Sequence, residues 1–533
     1  MNLDKLLKDF FLTNKGYLFG YILFILAYPT STVILPKYFG NILEDMKQNK
    51  QPKLYTAVFL LVLVNIMYLI LNKMDSVFIP KLQSYIRVNI VRVVLEHYKN
   101  NFQEQEIGSL ISKIVKLPII LRNLFTDIRN LIIPLIFILV ILVGHFTIID
   151  VRIGAITIIG LVSIISVLIP MFKECLEISM SSAGKSDDSL ENISELFDNL
   201  LDIYSMDTVS EEIKKLEEYQ KNSESRYKKT FKATNKLQLV LNVSCVTLFL
   251  SIIIYSYKLY QNKEISMSNM VNVSVTGMNV IGRISGVSGS VADIVFNMGT
   301  YNLMKKYLGD MDITTEYKNK NFKINEGSIK FADVGIKYGD KEVFKNFNLE
   351  IKPKESISIV GSIGSGKSSL VKALLMLIPY EGSIFVDDVN ISELDSETIR
   401  SQILFVRQNP LPFNRSLYEN IAYGNKNATK NRVMELFEKY KLNTFFNHNL
   451  DDLVGKKGGK LSGGQRQMIF LLRVILSDKK IIILDEPTSS LDEISANYIM
   501  HMLKDIISSR TVILITHDNK VGELTDRIVR LSK

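Results

Sequence analysis

The chain has 533 residues, too many for one hydrophobic core, so we expect at least two domains. Hydrophobic residues make up 47% of it, and nearly all the long apolar runs lie before residue 300. The net charge is +9, but Lys and Arg are scattered among Asp and Glu, which argues against nucleic-acid binding. Two cysteines, Cys175 and Cys245, are too few for a disulfide framework or a four-ligand zinc site.

Long apolar runs predict membrane-spanning helices in the first half. Five runs reach roughly the 20 residues that cross a bilayer, and they predict spans at about 16–38, 54–74, 131–149, 153–172 and 237–258. A sixth segment, 269–296, is rich in Gly and Ser and contains Arg283 and Asp293. An even number of spans is needed if both ends of the chain lie in the cytosol. We therefore interpret this segment as a span whose polar side faces protein or water.

The first span could be mistaken for a secretory signal, because Lys5, Lys8 and Lys15 precede it. It is too long for the apolar part of a signal and has no clear cleavage site. Loop charges do not decide the orientation, since the short loop 40–53 is as basic per residue as the long loops. The orientation is taken instead from the C-terminal domain, whose motifs place it in the cytosol.

Two long connections separate the predicted spans. Both contain amphipathic helical patterns, at 85–102 and at 195–219. They predict either a separate soluble subdomain or transmembrane helices that continue far into the cytosol. The polar stretch 309–327 then predicts a linker, and short alternating strand and helix patterns after it predict an α/β domain at 328–533.

The sequence "GSIGSGKSS" (361–369) matches the pattern of a phosphate-binding loop. It follows a predicted strand and precedes a predicted helix, as such a loop requires. Its glycines allow backbone N–H groups to surround a phosphate, Lys367 supplies a positive charge, and Ser368 is a ligand for Mg²⁺. ATP and Mg²⁺ are therefore the expected cofactors.

A second motif, "IIILDEP" (481–487), is an apolar strand that ends in two carboxylates. Asp485 is expected in the Mg²⁺ shell, and Glu486 is expected to polarise the attacking water. A carboxylate pair at a strand end can also serve only to cap a helix, but the phosphate loop upstream favours the catalytic interpretation.

Together these motifs resemble the ATP-binding cassette family. The order is an aromatic residue (Tyr338), the phosphate loop, a glutamine (Gln408), "LSGGQRQ" (461–467), "IIILDEP", "SSLD" (489–492) and "ITHD" (515–518). Six spans before one cassette, with long intracellular helices, resemble the half-transporters of the type IV exporter fold. The expected fold is thus an all-α six-helix transmembrane domain, 1–308, followed by an α/β P-loop ATPase domain, 328–533.

The resemblance implies a role for each motif residue. In this family the "LSGGQ" signature faces the nucleotide bound by the opposite cassette, so the expected partner is a second half-transporter, with a homodimer preferred and a heterodimer left open. Catalysis is assigned to Glu486, His517 and Gln408, and Mg²⁺ binding to Ser368, Gln408 and Asp485. Nucleotide binding is assigned to Tyr338, Gly361, Ser362, Gly364, Ser365, Gly366, Lys367, Ser368, Ser369, Ser462, Gly463, Gly464, Gln465 and Asp492.

This sequence departs from the family at Met468, where the signature motif often continues with Arg, and the following helix is bulkier than the Ala-rich family pattern. We expect altered packing beneath that helix and unchanged chemistry.

The predicted function is ATP-driven export of an amphipathic lipid, drug or peptide from the cytosol, across a cytoplasmic membrane. The resemblance also admits an importer with the same fold, or an ATP-gated channel or regulator. Arg283 and Asp293 are candidates for the substrate path, unless they pair with each other or extend to the membrane surface at the helix ends. No nucleic-acid partner is expected.

Overall fold

The computed structural model describes residues 3–47, 49, 51, 54–100, 107–183, 192–193, 195–309, 322–339, 341–362, 364–425, 427–446, 449–489 and 491–531. The chain divides into two compact units, residues 1–95 with 104–313 and residues 314–533 with 96–103. In the described residues, the first unit is helical and the second combines helices with two β-sheets.

The described helices of the first unit begin close to the N-terminus. In chain order, α1 to α11 are Leu3–Thr13, Lys15–Ile25, Leu35–Lys47, Leu54–Asn100, Ile107–Asp127, Ile133–Ile149, Val151–Ala183, Leu200–Ser205, Val209–Gln261, Met267–Gly289 and Val291–Gly309. A short turn, Ala27–Pro29, and the π-helix Thr30–Ile34 lie between α2 and α3, and the π-helix Ile128–Ile132 joins α5 to α6.

Five helices of the described chain are long and apolar enough to cross a membrane, which indicates a multi-pass integral membrane protein. They are Lys15–Tyr38, Leu54–Tyr98, Ile114–Ile149, Val151–Ser181 and Val209–Gln261. The predicted sixth span is helical but is not among the five. It falls on α10 and the start of α11, which are separated at Ser290. Its membrane crossing stays a prediction.

The long connections continue the membrane helices. Helix α4 has 47 residues and α9 has 53. At 1.5 Å per residue these are roughly 70 and 80 Å long, far more than the roughly 30 Å hydrocarbon core of a bilayer. The predicted stretch 85–102 continues α4 as far as Asn100. Of the predicted stretch 195–219, residues 209–219 begin α9, whereas Leu200–Ser205 forms the separate short helix α8.

The second unit, which we call the cassette, contains two sheets. Strands β1 to β9 are Ile329–Tyr338, Lys341–Ile351, Ser356–Gly361, Glu381–Val386, Val389–Asn390, Ile403–Val406, Ile481–Asp485, Thr511–Ile515 and Arg527–Leu531. The antiparallel sheet has the order β2-β1-β4-β5, and the parallel sheet has the order β6-β7-β8-β3-β9. The described helices α12 to α18 are Lys367–Leu374, Ser396–Arg400, Leu417–Ile421, Lys430–Lys439, Gly463–Leu476, Glu493–Ile507 and Asn519–Gly522.

The parallel sheet is buried on both faces. Along β7, Ile481 and Ile483 lie in one hydrophobic core, which also contains the buried side of α12. The alternate residues Ile482 and Leu484 lie in a second core, which contains the buried side of α16. Because successive side chains of a strand point to opposite faces, α12 and α16 pack on opposite sides of the sheet.

The predicted linker lies mostly outside the described residues, which resume at 322. Its end is attached to the cassette: the N–H of Ile324 donates to Gln402 Oε1 at 2.5 Å, and the N–H of Gly327 donates to Asp387 Oδ1 at 2.7 Å. The side chain of Ile324 is buried. Two apolar residues in this polar stretch, Phe322 and Ile324, pack on the cassette core, and composition alone does not reveal this attachment.

Candidate functional site

The phosphate loop leads from β3 into α12. Gly364 and Gly366 have φ values of 80° and 89°, in the left-handed region that favours glycine. A Cβ atom on Gly366 would lie 2.4 Å from the ring of Phe344. Both the backbone conformation and the close ring therefore require glycine at 366.

Lys367 begins α12 and is buried, with 8% of its surface exposed. Its Nζ donates to the carbonyl oxygens of Gly361 at 2.8 Å and Ser362 at 3.1 Å. The carbonyl groups of the loop itself thus hold the positive charge of Lys367 in place. The buried hydroxyl of Ser365 has no hydrogen-bond partner in the described structure. An unpaired polar atom is costly to bury, so this loop is better suited to a polar ligand than to a closed core.

Two acidic residues follow the last apolar residue of β7. Asp485 accepts a hydrogen bond from Ser368 beside the phosphate loop. Burial, together with the neighbouring charge of Glu486, raises the pKa of the Asp485 carboxyl above its usual value. This arrangement brings a carboxylate and a hydroxyl together next to Lys367, with oxygen ligands of the kind that Mg²⁺ prefers.

Glu486 has a φ of 47°, which is unusual for a residue other than glycine, and its N–H donates to the carbonyl of Ile515 at 2.9 Å. Its side chain is only 11% exposed. Oε1 lies 3.4 Å from Nε2 of His517 but has no hydrogen bond in the described structure. A buried carboxylate oxygen with a free lone pair and a nearby imidazole is suited to accept a proton from water.

Two further predicted residues lie at the edge of the site. Tyr338 ends β1 and is 46% exposed, and Ser369 Oγ donates to its hydroxyl at 3.4 Å. This contact brings an exposed aromatic ring beside the phosphate-loop helix. Gln408 follows β6 and is exposed. It is not in contact with the other site residues through any hydrogen bond of the described chain.

The signature motif forms the start of α16. Ser462 caps this helix: its Oγ accepts from the N–H of Gln465 at 3.1 Å, and Gln465 Oε1 accepts from the N–H of Ser462 at 2.9 Å. Gln465 Nε2 also donates to the carbonyl of Phe445 at 2.8 Å. A Cβ atom on Gly463 would meet nothing within 4 Å. The signature therefore presents an open, preorganised helix N-terminus, which favours an anionic ligand.

Asp492 caps the next helix, α17, by accepting from the N–H of Ser495 at 2.6 Å. Hydrogen bonds from Ser495 lower the pKa of the Asp492 carboxyl below its usual value. Ser495 also lies against Gly464 of the signature, and the motif analysis did not identify it. An Asp three residues before a Ser is a helix-capping pattern, and this pattern was the sequence signal by which Ser495 could have been identified.

The structure thus forms two separate groups of predicted residues. One contains the phosphate loop, Asp485, Glu486 and His517, near the C-terminal ends of parallel strands. The other contains the signature and Asp492. Because α12 and α16 pack on opposite faces of the sheet, the two groups are not joined by any hydrogen bond or ion pair of the described cassette residues.

The substrate-path candidates lie in the helical unit and are not paired with each other. Arg283 on α10 lies over the ring of Tyr28, with Cζ 4.9 Å from the ring centre. Asp293 on α11 lines a different cavity, together with Arg122 and Asn123. The described residues contain no ion pair between Arg283 and Asp293.

A family model described as "ABC transporter" matches residues 344–489 of the cassette. The whole chain has the fold of a solved bacterial Atm1-family ABC exporter with ATP bound, with a TM-score of 0.85 over 97% of this chain and 93% of the other, at 19% identity. This chain therefore contains an ABC transporter domain. The order of spans before cassette is that of a half-transporter with an exporter fold.

Curated relatives match parts of this chain. An uncharacterized ABC transporter ATP-binding protein of Haemophilus influenzae is 31% identical over 54% of this chain and 49% of the relative. An ATP-dependent lipid A-core flippase of Acinetobacter baylyi is 37% identical over 39% of this chain and 37% of the relative. The chain thus spans about half or less of the length of these relatives.

Proposed function

We propose that the chain is one half of an ATP-driven exporter and works as a homodimer with two composite ATP sites. The observation that carries the proposal is the separation of the phosphate loop and the signature onto opposite faces of one sheet. Each group is geometrically intact, so a second cassette can complete both sites by symmetry. ATP would then join the two cassettes, and its hydrolysis would release them.

The residues present fit a nucleotide with Mg²⁺. Lys367 sits in the loop as a positive charge for phosphate, the unpaired Ser365 hydroxyl needs a partner, and Tyr338 offers a ring for adenine. Mg²⁺ would be held by Ser368, Asp485 and Gln408, and when bound it would neutralise phosphate charge. Mg²⁺ binding is supported by the pairing of the Ser368 hydroxyl with the Asp485 carboxylate.

In the hydrolysis step, Glu486 would accept the proton of the attacking water through its unpaired Oε1. His517, 3.4 Å away, would hold the γ-phosphate and the water in position. Ser462 and the N–H groups of Gly463 and Gly464 would bind the γ-phosphate of the partner's nucleotide at the start of α16.

Export of an amphipathic substrate is supported by the exporter fold over the whole chain and by the lipid A-core flippases among the relatives. ATP favours closed cassettes, and this differential affinity would drive the membrane helices outward-facing. Lipid, drug or peptide is the proposed substrate class, and a cytoplasmic membrane is the proposed location, with the cassette in the cytosol.

The test is the Mg-ATPase activity of the purified full-length chain in lipid nanodiscs. We expect Glu486→Gln to lower the rate at least hundredfold, since it removes the proton acceptor. The control variant Glu435→Gln changes an exposed carboxylate on α15 and is expected to keep the wild-type rate. A wild-type chain without activity under all lipid conditions would contradict the homodimer and indicate a different partner.

Complementation tests the composite site directly. Lys367→Ala and Ser462→Arg are each expected to be inactive alone. In a mixed dimer, the intact loop of one chain meets the intact signature of the other, so a random mixture is expected to regain roughly a quarter of wild-type activity. Sites confined to a single chain would give no recovery, and that result would overturn the proposal.

A further inference from the structure

The helical unit contains two inward-facing arginines with different surroundings. Arg129, in the π-helix between α5 and α6, is 5% exposed and forms an ion pair with Asp75 of α4. The hydroxyl of Tyr21 also donates to Asp75, at 2.8 Å. Arg283 of α10 is half-buried and has no carboxylate within 4.0 Å among the described residues. Arg129 therefore has its counter-ion inside the protein, whereas Arg283 has none among the described residues.

The groups around Arg283 are polar but neutral. Its guanidinium lies over the ring of Tyr28, whose hydroxyl donates to Asn130 Oδ1 at 3.5 Å. Tyr68 packs edge-on against Tyr28 with ring centres 5.0 Å apart, and its hydroxyl is 3.2 Å from Ser31 Oγ. The ring face of Tyr28 orients the guanidinium, and no carboxylate of the described residues compensates its charge.

Arg283 opens onto a cavity of about 100 Å³ between α6 and α10, which we call the Arg283 cavity. Its lining includes Asn130, Leu135, Ile138, Gly282, Arg283 and Gly286. A Cβ atom on Gly282 or Gly286 would meet nothing within 4 Å, so the two glycines keep this side of α10 open. Since a water molecule occupies about 30 Å³, the space fits a group of a few heavy atoms.

We propose that the Arg283 cavity binds the anionic headgroup of an amphiphile, a phosphate or a carboxylate, with the acyl chain along Leu131 and Leu135. This inference rests on the proposed export function and assigns its substrate class. Guanidinium forms paired hydrogen bonds with these anions, and an unpaired cation among membrane helices gains most from them. A cationic amphiphile would be repelled at the same place.

The test measures equilibrium binding of radiolabelled dodecyl phosphate to the nucleotide-free, full-length protein in phosphatidylcholine nanodiscs. Dodecyltrimethylammonium is the probe with the same chain and opposite charge, and inorganic phosphate is the probe without a chain. We expect saturable binding of dodecyl phosphate, at least tenfold tighter than that of either comparison probe. Equal binding of the cationic probe would overturn the anion assignment, and equal binding of inorganic phosphate would overturn the amphiphile assignment.

Three variants connect this binding to the cavity. Arg283→Gln is expected to weaken dodecyl phosphate binding at least tenfold, and Arg283→Lys is expected to keep most of it. Gly286→Leu places a side chain in the open space, where its Cβ would meet nothing within 4 Å, and is expected to weaken binding to a similar degree. Arg152→Gln is the control, because Arg152 is exposed and already paired with Asp150 at 2.9 Å.

Binding and ATPase activity are separate measurements, so the two proposals can fail separately. Unchanged binding in both Arg283→Gln and Gly286→Leu, with ATPase activity that still depends on Glu486, overturns the cavity assignment and leaves the exporter proposal intact. Binding that depends on Arg283 in a protein without ATPase activity supports the cavity and overturns the proposed transport cycle.

Discussion

Gly464 of the signature helix lies directly against Ser495 of α17, where a Cβ atom on Gly464 would be 2.2 Å from the Ser495 Oγ. The same serine gives its backbone N–H to Asp492. The signature, which is expected to face a partner cassette, and the helix cap at Asp492 therefore contact each other through Ser495 within one chain.

We expect Gly464→Ala to destabilise the cassette by about 1–3 kcal/mol, because the added methyl group displaces Ser495. Thermal unfolding of the full-length protein measures this. The matched variant Gly463→Ala has nothing within 4 Å and should unfold at the wild-type temperature. Combining Gly464→Ala with Ser495→Gly should restore stability, and equal destabilisation by both glycine variants would contradict the contact.

The raised pKa of Asp485 predicts a pH dependence. A carboxyl group whose folded pKa lies above its unfolded value binds protons more tightly in the folded state, so its contribution to stability falls as pH rises through that interval. Mg²⁺ requires the ionised form, so its binding with ATP should weaken as the pH falls through the raised pKa. We expect Mg²⁺ binding to weaken steadily as the pH is lowered from 7.5 through the raised pKa of Asp485.

Titration of Mg²⁺ at fixed ATP measures this change. Asp485→Asn should bind Mg²⁺ weakly at both pH values and should be more stable than wild type at neutral pH without nucleotide, since the charge next to Glu486 is gone. An unchanged pH profile in Asp485→Asn would show that another group controls the titration.

Arg473 connects the signature helix to α14. Its guanidinium lies 4.4 Å from the ring centre of Phe470 and 5.0 Å from that of Tyr423, and it donates to the carbonyl of Asn420. Burial lowers the pKa of Arg473 to about 10. Because the contact needs a planar cation, both Arg473→Met and Arg473→Lys should lose about 1–3 kcal/mol of stability.

Chemical denaturation of the full-length protein, followed by a probe in the cassette, compares these variants with wild type. Arg432→Met on α15 is the control, since Arg432 is exposed. Full stability of Arg473→Lys would mean that charge alone is sufficient and the stacking is dispensable.

The ion pair between Arg129 and Asp75 should stabilise the helical unit against unfolding. Asp75→Asn leaves a buried guanidinium without its counter-ion and is expected to cost about 3–5 kcal/mol. Thermal unfolding in nanodiscs measures the loss. Adding Arg129→Gln should recover part of it, whereas strictly additive losses would show that the two side chains act independently.

Sequence patterns predict candidate chemical residues in this protein more readily than the arrangement of those residues in space. The phosphate loop, Asp485 and Glu486 are recognisable because each needs a particular residue beside a strand end, and that requirement is visible locally. The separation of signature from phosphate loop depends on the strand order β6-β7-β8-β3-β9, which no local pattern contains. The neighbour of Arg283 is Tyr28, more than 250 positions away, and only the packed helices bring the two together.

Composition alone was insufficient to predict the sixth span of the helical unit. Glycine and serine lower its hydropathy, yet the same small residues keep one side of α10 open beside Arg283. The continuity of α4 and α9 was one of two predicted alternatives, because an amphipathic pattern fits an isolated helix and a helix extension equally well.

Helix α9 runs from Val209 to Gln261 and contains neither proline nor glycine, whereas α4, α5 and α7 contain Pro80, Pro118 and Pro170. A helix without either residue lacks the common causes of a sharp kink. It therefore behaves as a lever: over roughly 80 Å, a tilt of about one degree at one end moves the other by roughly 1.4 Å. Helix α9 can thus convert a small rotation at one end into a displacement comparable to the length of a covalent bond at the other end. It remains helical throughout.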